Sequence, residues 1–134
     1  MITEDYVSFE IAKLLKEKGF TANIHGMYDH DGKFCESTFT DVEPYYCCYA
    51  PTLQMAMKWL RDVHKLGVFP TTYYRHLGKD NDIHDYGSTI VNLNTFEIIG
   101  DETPPINGST YTFEADTYEE TAEKAIKYCL ENLI

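Results

Sequence analysis

Residues 51–67 read PTLQMAMKWLRDVHKLG, and they predict an amphipathic helix that separates two groups of strands. We expect this helix to run over residues 53–66, with Thr52 as its N-cap and Gly67 at its end. Its apolar residues recur at spacings of three and four, which places them on one buried face. That face consists of Leu53, Ala56, Met57, Leu60 and Val63.

Helical periodicity predicts two more helices, one near each end of the chain. The first spans residues 4–18 and is ended by Gly19. The last spans residues 118–133, where Thr117 and Glu120 match the capping-box pattern T-x-x-E. Together with the strands, the helices are expected to bury Val7, Ile11, Leu15, Leu53, Met57, Leu60, Val63, Ile90, Phe113, Ala122, Ile126 and Cys129.

Between the helices the apolar period changes to two, which is typical of strands. Hairpins dominate and no βαβ alternation occurs, so the sequence predicts a single α+β domain over residues 1–134. Its element order is α-β-β-(β)-α-β-β-β-α, with an antiparallel sheet of hairpins and the helices on one face. The predicted strands are 22–28 and 33–39 around a turn at 29–32, then 45–50, 69–77, 86–93, 96–99 and 110–114.

The charge is strongly acidic and unevenly distributed. The chain has 22 acidic and 11 basic residues, a net charge of −11, which argues against direct nucleic-acid binding and against docking on an anionic membrane. From Asp80 to Glu123 there are eleven acids and no Lys or Arg. This run is explained either by solubility or by a basic protein partner. The candidate contacts are Asp101, Glu102, Asp116, Glu119, Glu120 and Glu123.

The eleven tyrosines suggest a second candidate surface. Tyr73 and Tyr74 are neighbours in a predicted strand, so we expect one to be buried and the other to lie on the open face of the sheet. Sheet packing explains such tyrosines, and a binding or dimer surface is the alternative. The chain is expected to act as a monomer or a homodimer.

Histidine and cysteine patterns do not define a catalytic or metal site. The Asp29–Gly32 stretch lacks the carboxylates of a calcium loop, and His25, His30 and Cys35 lack zinc-knuckle spacing. We therefore predict no cofactor, no metal and a noncatalytic interaction module. The alternative is a small enzyme or metal-binding protein that uses His and Cys residues.

The remaining cysteines and the first residues of the chain indicate the cellular compartment in which we expect the protein. Cys47 and Cys48 are adjacent, so in a regular strand their thiols would face opposite sides. Their spacing is not a disulfide framework, and the start, MITEDY, has no signal-peptide pattern. We expect reduced thiols and a cytoplasmic protein without a membrane span.

Three blocks of sequence resemble a family of short uncharacterised proteins from phages and integrated mobile elements of gut Bacteroidetes. They are YVSFEIAKLLKEKGF (6–20), APTLQMAMKWLRDVH (50–64) and TYEETAEKAI (117–126). The resemblance implies a bacterial or phage context and no particular activity. From Thr52 onward the element order is also similar to a double-stranded-RNA-binding domain, in topology only. Such domains open their last helix with a basic cluster, where this chain has TYEE, so the resemblance does not imply RNA binding.

Overall fold

The computed structural model describes residues 5–21, 26–36, 46–75, 83–100 and 112–134. It contains three helices and antiparallel strands, which confirms the α+β class. The strands form two sheets, whereas the sequence predicted one. The elements are α1 (Phe9–Glu17), β1 (Gly26–Asp29), β2 (Phe34–Glu36), β3 (Tyr46–Tyr49), α2 (Leu53–His64), β4 (Leu66–Arg75), β5 (Ile83–Asn92), β6 (Ile98–Ile99), β7 (Thr112–Ala115) and α3 (Tyr118–Tyr128).

The first sheet has the order β2-β1-β3, and its hairpin turn confirms the predicted one. Asp29 Oδ1 accepts hydrogen bonds from the N–H groups of Asp31 and Lys33, both at 2.9 Å. Gly32 has φ +82°, and a Cβ there would lie 3.0 Å from the ring of Phe9. The positive φ therefore favours glycine at this position, and the Phe9 ring would have to shift to admit a Cβ.

The strand β3 contains a bulge at its cysteine pair. Tyr28 of β1 lies opposite Cys48 and the next residue, Asp29, lies opposite Tyr46, so Cys47 is the extra residue of the bulged strand. A bulge interrupts the strict alternation of side chains and can redirect the extra one. The expectation that the two thiols face opposite sides assumed a regular strand, and the bulge removes that assumption.

The second sheet is built on β5, which pairs with β4 along ten residues and with β6 and β7 on its other side. Val68 and Ile90 are register partners and are buried beneath the helices. The buried hydroxyls of Ser88 and Thr121 lie 3.0 Å apart and connect β5 to α3. The Thr121 hydroxyl also donates to the carbonyl of Phe113, which ties β7 to the same helix.

Helix α1 begins later than the sequence predicted. Ser8 is its N-cap and accepts a hydrogen bond from the N–H of Ile11 at 3.4 Å. The preceding residues are extended, because Val7 donates to the carbonyl of Pro51 at 3.0 Å. The predicted start at residue 4 was therefore wrong, since a distant segment holds this backbone outside the helix. Gly19 ends the helix with φ +86°, as predicted.

Helix α2 starts as predicted and ends earlier. Thr52 Oγ1 accepts from the N–H of Met55 at 3.2 Å, which confirms the cap. The helix ends at His64 because Lys65 adopts the left-handed conformation with φ 57°, and Leu66 already begins β4. The prediction that Gly67 ends the helix was thus wrong by two positions.

The predicted burial of Val63 was also wrong, since its side chain is 58% exposed. The inward position in the last turn of α2 is taken by His64, whose ring lies 4.6 Å from that of Trp59. The buried stripe that contains Leu60 therefore continues with His64, four residues later, and not with Val63, three residues later.

Helix α3 begins at the predicted cap, where Thr117 Oγ1 accepts from the N–H of Glu120 at 3.1 Å. Its final turn is wider than predicted, because residues Cys129–Leu133 form a π-helix instead of continuing the α-helix. Cys129 and Leu130 are fully buried in this turn. The helical segment ends at Leu133 as predicted, but its last turn is a π-helix and not an α-helix.

The buried side chains form a hydrophobic cluster that contains members of all three helices and of strands from both sheets. Eleven of the twelve predicted core residues are buried, and Val63 is the exception. No helix in the described ranges is long and apolar enough to cross a membrane.

Candidate functional site

Four of the predicted acidic contacts lie at the start of α3. Asp116 and Glu120 are exposed, while Glu119 and Glu123 are half-buried. Thr117 caps the helix directly between Asp116 and the first turn. Carboxylates at this end are stabilised by the positive pole of the helix dipole. Their position therefore has a local cause in addition to any role in binding.

Glu123 also has a structural contact that the sequence pattern did not reveal. Its Oε1 accepts a hydrogen bond from the N–H of Ser8 at 2.6 Å, across 115 residues of chain. This bond joins α3 to the N-terminal turn of α1. Burial raises the pKa of Tyr28, and the nearby Glu123 carboxylate raises it further. The Tyr28 hydroxyl stays protonated and donates to the carbonyl of Val7 at 2.6 Å.

A shallow groove of about 270 Å³ lies between α1 and α3, and it brings two of the predicted contacts together. Glu120 and Glu123 both line it, because they are three residues apart on one helix face. Asp116 and Glu119 do not line it. The complete lining is Ser8, Glu10, Ile11, Glu120, Glu123, Lys124 and Lys127.

The lysines of the groove are engaged by other groups of the protein. Lys127 Nζ lies 2.8 Å from Glu10 Oε1 and 3.9 Å from Glu131 Oε1. The bond to Lys127 lowers the pKa of Glu10, and the same bond raises the pKa of Lys127. Lys124 Nζ donates to the carbonyl of Glu114 at 2.7 Å. The groove thus contains three carboxylates and two ammonium groups. The Glu10 carboxylate is already paired with the Lys127 ammonium.

Four further predicted contacts are not among the residues that the structure describes as lining this groove. Tyr73 and Tyr74 lie in β4, where their register partners are Asp85 and His84. Their side chains are outside the described part of the chain. Asp101 and Glu102 also lie outside the described residues.

The outer face of the second sheet carries exposed apolar side chains that the sequence analysis missed. Phe69 is 51% and Ile98 is 58% exposed, and Phe96 in the adjoining turn is 79% exposed. The ring of Phe69 lies over Gly67, where an added Cβ would be only 2.7 Å from it. Alternation in β4 was the available signal, because Val68 is buried and Phe69 must then face outward.

The histidine and cysteine side chains of the described residues do not converge into a metal site. Within the ranges that the structure describes, no group of three or more His, Cys, Asp or Glu residues could hold a metal ion. His30 is exposed in the hairpin turn and Cys35 is exposed on β2. His25 lies outside the described residues.

Comparisons with known proteins do not assign a function. No family model, curated protein or solved structure matches the chain.

Proposed function

We propose that the chain is a noncatalytic interaction module that binds a basic protein partner through the acidic start of α3. We propose further that it acts in the cytoplasm, as a monomer or a homodimer. The three sequence blocks that resemble phage and mobile-element proteins support a bacterial or phage setting for this role.

The observation that carries the proposal is the charge balance of the groove between α1 and α3. Glu120 is exposed at its rim, and Asp116 lies before the capping residue on the same end of α3. The two lysines that could neutralise these carboxylates contact Glu10 and the carbonyl of Glu114 instead. A lysine or arginine of a partner would form charge-assisted hydrogen bonds with the carboxylate oxygens of this concave surface.

The experiment measures the affinity of a basic partner, first captured from host lysate and then purified. Affinity is determined across a salt series for the natural chain and for the double variant Glu119→Gln, Glu120→Gln. Glu123 is left unchanged, because it accepts the Ser8 N–H and its replacement would disturb the packing of α1 on α3. Exposed ion pairs contribute about 0.2–1 kcal/mol each, so the double variant should bind roughly 2- to 30-fold more weakly.

A matched control changes the same amount of charge elsewhere. Glu17 and Asp31 are both exposed, on α1 and in the hairpin turn. The variant Glu17→Gln, Asp31→Asn should keep the natural affinity. An affinity that is insensitive both to salt and to the α3 variant would leave solubility as the only role of these acids, and the proposal would fail.

A further inference from the structure

Strand β2 lies at an edge of the first sheet. Among the strands that the structure describes, it pairs with β1 and with no other strand. Its three residues, Phe34–Glu36, are all exposed. An exposed edge presents backbone N–H and C=O groups to solvent, so it is a template for a further extended segment.

The hydrogen bonds of the hairpin show which backbone groups of β2 point outward. The N–H of Asp29 donates to the carbonyl of Lys33 at 3.0 Å, so these two residues form a hydrogen-bonded pair. Hydrogen-bonded and non-hydrogen-bonded pairs alternate along an antiparallel ladder. Cys35, two residues after Lys33, therefore bonds to β1. The N–H and C=O groups of Phe34 and Glu36 point away from β1.

The outward groups of β2 are complementary to those of a second copy of the chain. When two β2 strands lie antiparallel with Cys35 opposite Cys35, Phe34 of each copy lies opposite Glu36 of the other. Each of these residues then donates its outward N–H to the residue opposite and accepts from it, which gives four hydrogen bonds. Within Phe34–Glu36 no like charges lie opposite one another in this register, because each glutamate faces a phenylalanine.

The same pairing would cover the ring of Phe34, which is 36% exposed. Its centroid lies 4.8 Å from that of Tyr6 and 5.5 Å from that of Tyr28. The Tyr6 hydroxyl donates to Glu36 Oε1 at 2.9 Å, so Phe34 and Glu36 lie on the same face of the sheet. Diagonal neighbours on paired strands are within reach of aromatic side chains. The Phe34 rings of the two copies would therefore meet, and the two aromatic clusters would become one.

We propose that the chain forms a symmetric homodimer in which β2 pairs with β2 of a second copy, in the register centred on Cys35. This dimer rests on the homodimer alternative of the proposed function, and it uses no residue of the acidic groove. Two chains of net charge −11 repel each other, so added salt should strengthen the dimer. Binding of a basic partner should weaken in the same salt series, so the failure of one proposal is distinguishable from the failure of the other.

Sedimentation of the reduced natural chain, from micromolar to millimolar concentration, tests the edge. We expect a reversible equilibrium between monomer and dimer. Glu36→Pro removes one outward N–H from each copy and leaves the bonds to β1 in place. The loss of two hydrogen bonds should raise the dissociation constant roughly 5- to 150-fold.

Glu36→Thr is the matched control, because it removes the same carboxylate and keeps the N–H. Circular dichroism should show an unchanged fold for both variants. Equal weakening by the two variants would overturn the proposal. A natural chain that stays monomeric would also overturn it and would leave this edge to an extended segment of another protein.

Thiol cross-linking tests the register without changing the edge. Cys35 is exposed. In the proposed register it forms a non-hydrogen-bonded pair with Cys35 of the other copy, and the Cα atoms of such a pair are about 4.5 Å apart. A disulfide joins Cα atoms that are about 4.4–6.8 Å apart. Diamide takes up the two electrons and two protons of the thiols, so it should link natural chains in pairs and Cys47→Ser chains equally.

A shifted thiol distinguishes this register from random collision. In the double variant Cys35→Ser, Lys33→Cys, the new thiol replaces an exposed side chain on the same face of β2. In the dimer the two new cysteines would lie roughly 14 Å apart, too far for a disulfide. This variant should give no linked dimer at a concentration where the natural chain does. Equal cross-linking of the two proteins, or none in the natural chain, would refute the proposed dimer.

Discussion

At the scale of single residues, two cysteines behave as small apolar side chains. Cys129 is fully buried in the π-helical turn after α3, and burial raises its pKa from 9.0 to about 12. The pKa of Cys48 is raised to the same value, again mainly by burial. The folded protein therefore holds both protons at pH values where the unfolded chain releases them.

This difference predicts a loss of stability at alkaline pH. The stabilisation from a raised pKa is complete below about pH 9 and disappears as the pH rises to about 12. In denaturant melts the free energy of unfolding should fall across this range, and it should fall less steeply for Cys129→Ala. Leu130→Ala is the control, since it also removes buried volume but no titrating group. Equal slopes for Cys129→Ala and the natural protein would contradict the prediction.

At the scale of elements, β4 is at the edge of its sheet among the described strands, and a proline limits its capacity to pair further. The N–H of Leu93 donates to the carbonyl of Lys65 at 2.8 Å, which fixes the phase of the β4–β5 ladder. In this pattern of alternating hydrogen bonds, the N–H of Thr71 points toward β5. The backbone nitrogen of residue 70 points away from β5. Pro70 therefore removes an outward donor without costing β5 a hydrogen bond, and this discourages pairing with another chain.

Replacing this proline should promote self-association. Pro70→Thr restores an outward N–H and a residue with high β propensity, so sedimentation should detect a concentration-dependent dimer or larger species. Thr71→Val is the matched control, because it raises β propensity at a position whose N–H already faces β5. A Pro70→Thr variant that is no more associated than the control would show that the proline does not protect this edge.

At the scale of the whole molecule, a shared core couples the two sheets. The hydrophobic cluster includes Leu15 of α1, Leu60 of α2 and Ile126 of α3, together with Cys48 of the first sheet and Ile90 of the second. Glu123 adds a polar connection from α3 to α1 through the Ser8 N–H. A change in the centre of this cluster should therefore weaken the fold as a whole.

Leu60 is the position at which to test this coupling, because its side chain is 0% exposed. Leu60→Ala should lower the free energy of unfolding by about 2–5 kcal/mol in denaturant melts. Val63→Ala, on the same helix but exposed, should change it by less than about 0.5 kcal/mol. A loss below about 0.5 kcal/mol for Leu60→Ala would mean that the centre of the cluster is not at this helix.

The sequence alone determined the α+β class, the caps Thr52 and Thr117 and the hairpin turn at Asp29–Gly32, because these depend on periodicity and on contacts within a few residues. Tertiary structure decided the start of α1, where the carbonyl of Pro51 holds Val7 extended, and the exposure of Val63, where His64 takes the inward position. It also decided which candidate residues lie together. The pattern of acids predicted Glu120 and Glu123 as contacts, and the two share a groove only because α1 packs against α3. Likewise, Cys47 is the extra residue of a bulge whose register is set by pairing with β1. Such features join residues far apart in the chain, so no local spacing encodes them.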